Sequence, residues 1–436
     1  MECTQVLTNF PPNLRARPLF WTLDAYDVLA FESDVLAFDD DYSGAPAMLL
    51  FVFSLFCVRN AGAGVCGSSH VNLTHSLPVS GGFNIFVRTF GCASGAPILF
   101  LHGGWGPLPG EDSSTAAGLV DTERNLVVYF HQRGWGSSSP VGSLVHNTVA
   151  DSIADCEVVR KHAEVVQWAA VYGGSNGAML GLAYAASHPG AVGSIVLRGL
   201  WLIRTQDVEY DYVDTAAGKA AHYPQEWDRF AAAVGCSRES SGSGAHAFAG
   251  GTESLLEPQC RGLTLLERYR TALAGDAPAP LPSAARAAEE WLRYDALGAS
   301  VRVGGATRLE EWLPTPPLAA ARLGVHLYLG HSADVESEVG AGRLLATAQA
   351  RLASVSMPVR LITGEYDMLC PPAMAYEVAA ALGGHSAGRG SLQVVRGAAH
   401  SAGDANMTAV IRAAIDELAQ AAVATAAASR SGSGEL

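Results

Sequence analysis

Val171-Tyr-Gly-Gly-Ser-Asn-Gly177 is the stretch that decides how this chain folds. Upstream, Trp168-Ala-Ala-Val-Tyr172 is a short apolar run ending at a glycine pair, the form of a buried interior strand. Downstream, Ala178-Met-Leu-Gly-Leu-Ala-Tyr-Ala-Ala186 reads as a helix that stops before Pro189. Between them, Gly173-x-Ser175-x-Gly177 puts a serine at the tip of a sharp strand-to-helix turn. The flanking glycines let the helix pack close to the strand. A glycine-rich turn that happens to hold a serine is the plain alternative. The strand before it and the helix after it favour a nucleophile.

The surrounding rhythm is that of alternating strands and helices. Gly82-Phe-Asn-Ile-Phe-Val-Arg-Thr-Phe90 alternates like a strand, and Pro97-Ile-Leu-Phe-Leu101 is apolar throughout, hence central. The second runs into His102-Gly-Gly-Trp-Gly106, a glycine turn at a strand's carboxyl end, where such sheets place ligands. Asn125-Leu-Val-Val-Tyr-Phe130 follows, then the polar loop His131-Gln-Arg-Gly-Trp-Gly-Ser137. Helical spacing over 151–162 and a strand at 194–199 complete the first half. Residues 201–350 break the rhythm, with helical segments such as 283–297, capped by Ser283, and a Ser/Gly-rich stretch at 236–254. Strands resume at 358–363 and 391–395, with a last helix over about 408–420. The pattern implies an α/β fold: a mostly parallel sheet covered by helices on both faces, with an inserted helical cap.

The expected organisation is therefore an N-terminal extension (1–68), a first core segment (69–200), the cap (201–350), a second core segment (351–421) and a flexible tail (422–436). A net charge of −14 with no Lys/Arg-rich run excludes a nucleic-acid partner. Eight cysteines without zinc-type spacing give no metal site and too low a density for a disulfide scaffold. The default is buried free thiols; Cys236–Cys260 and Cys66–Cys92 remain open as bridges if the chain is secreted. Ala47-Met-Leu-Leu-Phe-Val-Phe-Ser-Leu-Phe-Cys-Val58 is too short to span a membrane comfortably, so stable membrane association is not expected. It has the length of a signal-peptide core, with Asn60-Ala-Gly-Ala-Gly64 after it, and translation from Met48 would place it correctly. A hydrophobic helix packed on the domain is the alternative. Asn72-Leu-Thr74 and Asn406-Met-Thr408 are glycosylation sequons, of a kind that also arises by chance.

A serine hydroxyl needs a base, and the base needs an orienting carboxylate. Both follow the cap, in the order this architecture uses. Gly364-Glu-Tyr-Asp367 follows one strand and Gly397-Ala-Ala-His400 the next. His400 is the expected base and Asp367 the orienting acid, with Glu365 its rival on the same loop. Oxyanion donors are expected from the amides of Asn176 and Gly104. Taken singly, His400 could be any of thirteen histidines and Asp367 a turn aspartate; together they fall in order on strand ends.

These motifs resemble the proline iminopeptidase (prolyl aminopeptidase) family of α/β-hydrolases, over about residues 75–415. That family's His-Gly-Gly-Pro-Gly stands here at 102–106 with Trp105 for proline. Its Asp-Gln-Arg-Gly-x-Gly-x-Ser stands at 131–138 with His131 for aspartate, and its Gly-Gly-Ser-Trp-Gly at 173–177 with Asn176 for tryptophan. Leu197-Arg-Gly199, Tyr223-Pro224 before Trp227, and Gly364-x-Tyr-Asp367 with Cys370-Pro371 also look like family signatures. The resemblance implies the α/β-hydrolase fold, Ser175, Asp367 and His400 as the triad, and no cofactor or metal.

The family grips a substrate's free amino group with cap glutamates. Asp295, after Tyr294, stands where one is expected, and Gly324 where the other is. Losing a carboxylate removes a charge-assisted bond of about 1.5–3 kcal/mol. Asp214 is a candidate to compensate, and Trp105 a further candidate contact; ordinary solvated helix charge is the alternative for Asp295 and Asp214. The implied substrate is a small peptide losing an N-terminal proline or small residue through an acyl-enzyme. Another small amide or ester, or non-catalytic binding, are the alternatives. The resemblance suggests the cytoplasm, whereas residues 48–64 acting as a signal would direct the chain to the secretory route or an organelle. Oligomeric state is not readable.

Overall fold

Apolar runs closed by turn residues become strands, and among the described residues eight of them form one sheet. They are β1 (His70–Pro78), β2 (Asn84–Cys92), β3 (Ala96–Leu101), β4 (Asn125–Phe130), β5 (Ala170–Gly174), β6 (Ile195–Arg198), β7 (Val359–Gly364) and β8 (Gly390–Val395). Their order is β1-β2-β4-β3-β5-β6-β7-β8; the two pairs made by β2 are antiparallel and the rest parallel. The computed structural model describes residues 66, 69–104, 106–107, 116–237, 260–275, 283–299, 315–383 and 390–432. The chain divides into units 1–63 and 64–436, and every described residue lies in the second. The N-terminal extension with its apolar run, Trp105 and most of the Ser/Gly-rich stretch at 236–254 lie outside the described residues.

Strand side chains alternate between two cores. Leu99, Leu101, Val171, Ile195 and Leu197 enter one, with α2 (Val149–His162) and α3 (Asn176–Ser187) packed over them. Ile98, Phe100, Tyr172 and Val196 enter the other, against α12 (Ala405–Gly432). This period of two, buried on both sides, is why the central strands read as continuous apolar runs. α3 is buried from Asn176 to Ala186, which explains its lack of a polar face.

Between β6 and β7 the described chain is helical: α4 (Thr205–Tyr212), α5 (Lys219–His222), α6 (Pro224–Ala232), α7 (Thr264–Ala274), α8 (Ala284–Asp295), α9 (Pro317–Ala333) and α10 (Leu344–Ser354). Two further helices complete the order, α1 (Ala116–Leu119) after β3 and α11 (Pro372–Ala381) after β7. Ser283 caps α8, its side chain accepting from Arg286 N. No described helix is long and apolar enough to cross a membrane.

The structure corrects the sequence at several points. β1 was not foreseen. The elbow strand starts at Ala170; Trp168 makes only an isolated parallel bridge to Val192. The last helix runs on to Gly432 instead of giving way to a tail at 422, as its many alanines, the strongest helix formers, favour. Four cysteines are not free thiols: Cys66–Cys92 and Cys236–Cys260 are disulfides, while Cys156 and Cys370 are buried thiols.

The elbow depends on close backbone approach. A Cβ on Gly173 would strike Gly177 O, and one on Gly177 would strike the carbonyls of Leu101 and His102. Neither backbone can move without opening the joint between sheet and helix. Gly177→Ala is therefore expected to lose about 1–3 kcal/mol or more of unfolding free energy in urea. Gly190→Ala, whose Cβ would meet nothing within 4 Å, should stay within about 0.5 kcal/mol. Equal stability of the two variants would contradict the close-approach account.

Candidate active site

Ser175 sits between β5 and α3 at φ 57°, ψ −124°, a conformation that costs a non-glycine residue about 1–3 kcal/mol. Strand β3 neighbours β4 on one side and β5 on the other, so the chain order reverses there. The carboxyl ends of β3 and β5 flank that crevice, the usual ligand position in such sheets. Gly103, just past β3, lies so that a Cβ on it would be 3.5 Å from Ser175 Cβ.

Asp367 and His400 come together across 33 residues of chain: Asp367 Oδ2 lies 2.8 Å from His400 Nδ1. Asp367 Oδ1 accepts from the backbone N–H of Leu369 at 3.0 Å and Cys370 at 2.8 Å. Both residues are buried. The rival Glu365 is exposed and accepts from Gly397 N instead. Asp367, Cys370 and His400 bring ligand-type atoms within 4.8 Å of one another. The imidazole is engaged with the carboxylate, and burial pushes the Cys370 thiol well up, so that sulfur stays protonated. That donor set suits a hydrogen-bonded pair better than a metal.

Sequence analysis gave Leu197-Arg-Gly199 no role beyond resemblance, and the structure supplies one. Arg198 O accepts the Ser175 N–H at 2.8 Å, and Arg198 Nη1 donates to His400 O at 2.6 Å. Gly199, at φ 55°, lies against the pair: a Cβ there would be 2.8 Å from His400 Cε1 and 3.2 Å from Asp367 Oδ2. Two adjacent residues thus clamp the serine turn to the histidine loop. A buried arginine was readable in the sequence only as an anomaly at the end of an apolar strand.

The glycine turn after β3 is braced by its own histidine. His102 Nδ1 lies 2.8 Å from Gly103 O, and His102 Nε2 accepts Gln132 N–H at 3.0 Å. That pattern fixes the neutral Nδ1–H tautomer. Burial lowers its pKa to about 3, and that of His131 to about 4. A Cβ on Gly104 would collide with the Asn176 side chain, so only glycine lets this turn approach the start of α3. The Asn176 N–H lies in the helix's first turn, whose donors lack intrahelical partners. Arg133 holds the next loop, donating two bonds, of 2.6 and 2.7 Å, to buried Asp155.

Above the elbow the cap presents aromatic rings and charge. Asn176 Nδ2 donates to Tyr328 OH at 3.5 Å, and Tyr328 packs 4.8 Å from Trp201. Tyr212 OH donates to Asp295, which is buried. Burial, with Asp295 nearby, keeps Tyr212 and Tyr328 protonated. Gly324 faces the Trp291 indole, where a Cβ would lie 3.4 Å from Nε1. Asp214 is engaged elsewhere: its Oδ1 accepts from Ala216 N at 2.8 Å and Ala217 N at 3.0 Å. The sequence did not reveal Asp211, whose buried carboxylate lies 3.5 Å from the fully buried Lys219. Burial raises the Asp211 pKa to about 7, against the pull of Lys219. Lys219 also lies 4.7 Å from the centre of the Tyr294 ring.

A family model described as "alpha/beta hydrolase fold" matches residues 96–404. A proline iminopeptidase of Arabidopsis thaliana is 28% identical over 349 residues, 79% of each chain. One from Xylella fastidiosa is 29% identical over 75% of this chain and 90% of its own. One from Neisseria gonorrhoeae is 36% identical over 38% of this chain and 51% of its own. Among solved structures, a haloalkane dehalogenase variant of Bradyrhizobium elkanii superposes with a TM-score of 0.51 at 16% identity, covering 82% of this chain and all of that one. At that identity the last likeness speaks for the fold alone.

Burial of His102 makes stability depend on pH. Its folded pKa, about 3, lies below the unfolded value of 6.5, so unfolding takes up a proton between the two. Its contribution is present above pH 6.5 and is lost as pH falls toward 3. The unfolding free energy of the wild type minus that of His102→Asn should fall by about 1.4 kcal/mol per pH unit across that window. A pH-independent difference would contradict a buried neutral imidazole.

Proposed function

This chain belongs to the α/β-hydrolase fold family as a hydrolase of the prolyl-aminopeptidase type, and we propose that Ser175, His400 and Asp367 carry its chemistry. The single observation that carries the assignment is the Arg198–Gly199 clamp, which joins the strained serine turn to the buried His400–Asp367 pair.

His400 takes the Ser175 proton on Nε2 while Asp367 keeps the other proton on Nδ1 and stabilises the imidazolium. Ser175 Oγ attacks the carbonyl carbon, and the resulting oxyanion lies between the N–H groups of Gly104 and Asn176. The amine leaves with the proton from His400, forming an acyl-enzyme. Water, deprotonated by the same imidazole, then releases the acid and restores the serine.

The substrate is a small peptide whose N-terminal proline or small residue is released. Asp295, buried at the end of α8 and held by Tyr212, receives the substrate ammonium. Asp211 does not share that role, since Lys219 beside it offsets its charge. The binding-only alternative is set aside for an enzyme of this family. A second reading, another small amide or ester, is favoured by one observation: Gly324 packs on Trp291 and leaves Asp295 without a second carboxylate at that position.

Kinetics on proline amides and simple acyl esters test these proposals. Ser175→Ala should lower kcat by about four decades or more on both. Asp295→Asn should lower kcat/KM for a free-amine substrate by roughly 10- to 150-fold, the loss of one charge-assisted hydrogen bond, and leave esters nearly unchanged. Equal losses on the two substrates would contradict the ammonium role. Wild-type turnover of esters that equals or exceeds that of proline amides would favour the second reading.

A further inference from the structure

The two disulfides and one exposed sequon were left unused by the hydrolytic site, and they point in one direction. Cys66 and Cys92 have Cα atoms 5.3 Å apart, and Cys236 and Cys260 5.8 Å apart, both within the normal bridging range. One bridge fastens the sheet edge at the end of β2; the other lies in the cap and joins the residue near the end of α6 to the residue before α7. Such bridges persist in oxidising compartments and are rare where glutathione keeps thiols reduced. Among the described residues the unpaired thiols, Cys156 on α2 and Cys370 in the loop after β7, are buried and far apart in the chain.

Asn72-Leu-Thr74 lies on β1, which among the described residues is an edge strand paired with β2 alone. The side chains of Asn72 and Thr74 are exposed. Asn72 Oδ1 accepts from Arg88 Nε at 3.1 Å, a bond that uses the side-chain oxygen and not the amide nitrogen. β1 stands at the edge of the sheet, with three strands between it and β5, so a bulky group there does not crowd Ser175. Asn406 is also exposed, but the Thr408 hydroxyl of its triplet is bonded to Ala402 O at 2.6 Å. In the sequence, the apolar run at 47–58 and the small residues at 61–64 have the composition of a signal core and its cleavage region.

We infer that this chain folds in an oxidising, glycan-adding compartment and that Asn72 carries an N-linked oligosaccharide. In the transfer, Asn72 Nδ2 bonds to C1 of a sugar carried on a lipid diphosphate. The C1–oxygen bond breaks, the diphosphate leaves with the electron pair, and the amide proton passes to a base. Each disulfide forms as two thiols give two protons and two electrons to a disulfide-bearing protein oxidant. Of the compartments the sequence left open, the inference takes the secretory one. The inference does not rest on the proposed hydrolytic activity.

The test uses protein isolated from the cells that naturally make it. Alkylation with iodoacetamide before and after reduction, digestion with peptide N-glycosidase and peptide mass mapping read every position. The expected result is a mobility shift on deglycosylation, conversion of Asn72 to aspartate, and alkylation of Cys66, Cys92, Cys236 and Cys260 only after reduction. Asn72→Gln, expressed in the same cells, should lose the shift attached to this peptide while keeping both disulfides. An unmodified Asn72 peptide overturns the site. Alkylation of those four cysteines without prior reduction overturns the compartment.

Discussion

The structure depends on the close approach of three backbone segments around Ser175. β5 ends at Gly173-Gly174, α3 begins two residues later, and the carbonyls of Leu101 and His102 press against Gly177. No side chain fits against the backbone at Gly173 or Gly177, and a Cβ on Gly174 would meet the Arg198 guanidinium. That crowding holds Ser175 at a positive φ that a serine would otherwise avoid. The strain is offset by the burial of α3 along its length and by the parallel ladders on both sides of β5. The candidate site and the fold therefore share one constraint: the turn that presents the Ser175 hydroxyl also locks the helix to the sheet.

The same economy shapes the support of the histidine. Arg198 is a charged residue buried at a strand end, where leaving it without partners would cost several kcal/mol. Its guanidinium bonds the His400 carbonyl and the Tyr172 side chain, while its own carbonyl holds the Ser175 amide. Gly199 then lets the imidazole and the Asp367 carboxylate lie against the chain. Asp367 is held from the other side by two backbone N–H groups, so its orientation does not depend on His400 alone. The polar chemistry of the centre is thus pinned mainly by backbone groups, which substitution elsewhere cannot remove.

The central strands, the elbow turn and the placing of Asp367 and His400 on strand-end loops were legible because each leaves a local mark: a doubly buried apolar run, a glycine pair, a polar loop at a strand end. β1 left none. Its burial runs exposed and half-buried in turn, with no residue fully inside, so His70-Val-Asn-Leu-Thr-His-Ser-Leu-Pro78 lacks an apolar face to read. Asp211 and Lys219 were missed for another reason. They lie on different helices, and either alone looks like ordinary solvated charge; only the fold of the cap buries them together. Cysteine pairing was open because spacing does not encode redox compartment. The sequence already preferred Asp367 over Glu365, and the fold gives the physical reason: both stand on one loop and only Asp367 turns inward, to His400.

The central claim is that Ser175 is an activated nucleophile held by its strained turn. Treatment of the folded protein with a fluorophosphonate, followed by peptide mapping, tests it most directly. The account predicts one adduct, on the peptide containing Ser175, strongly slowed in His400→Ala and absent after unfolding. An adduct confined to another residue, or none on folded protein, would contradict it.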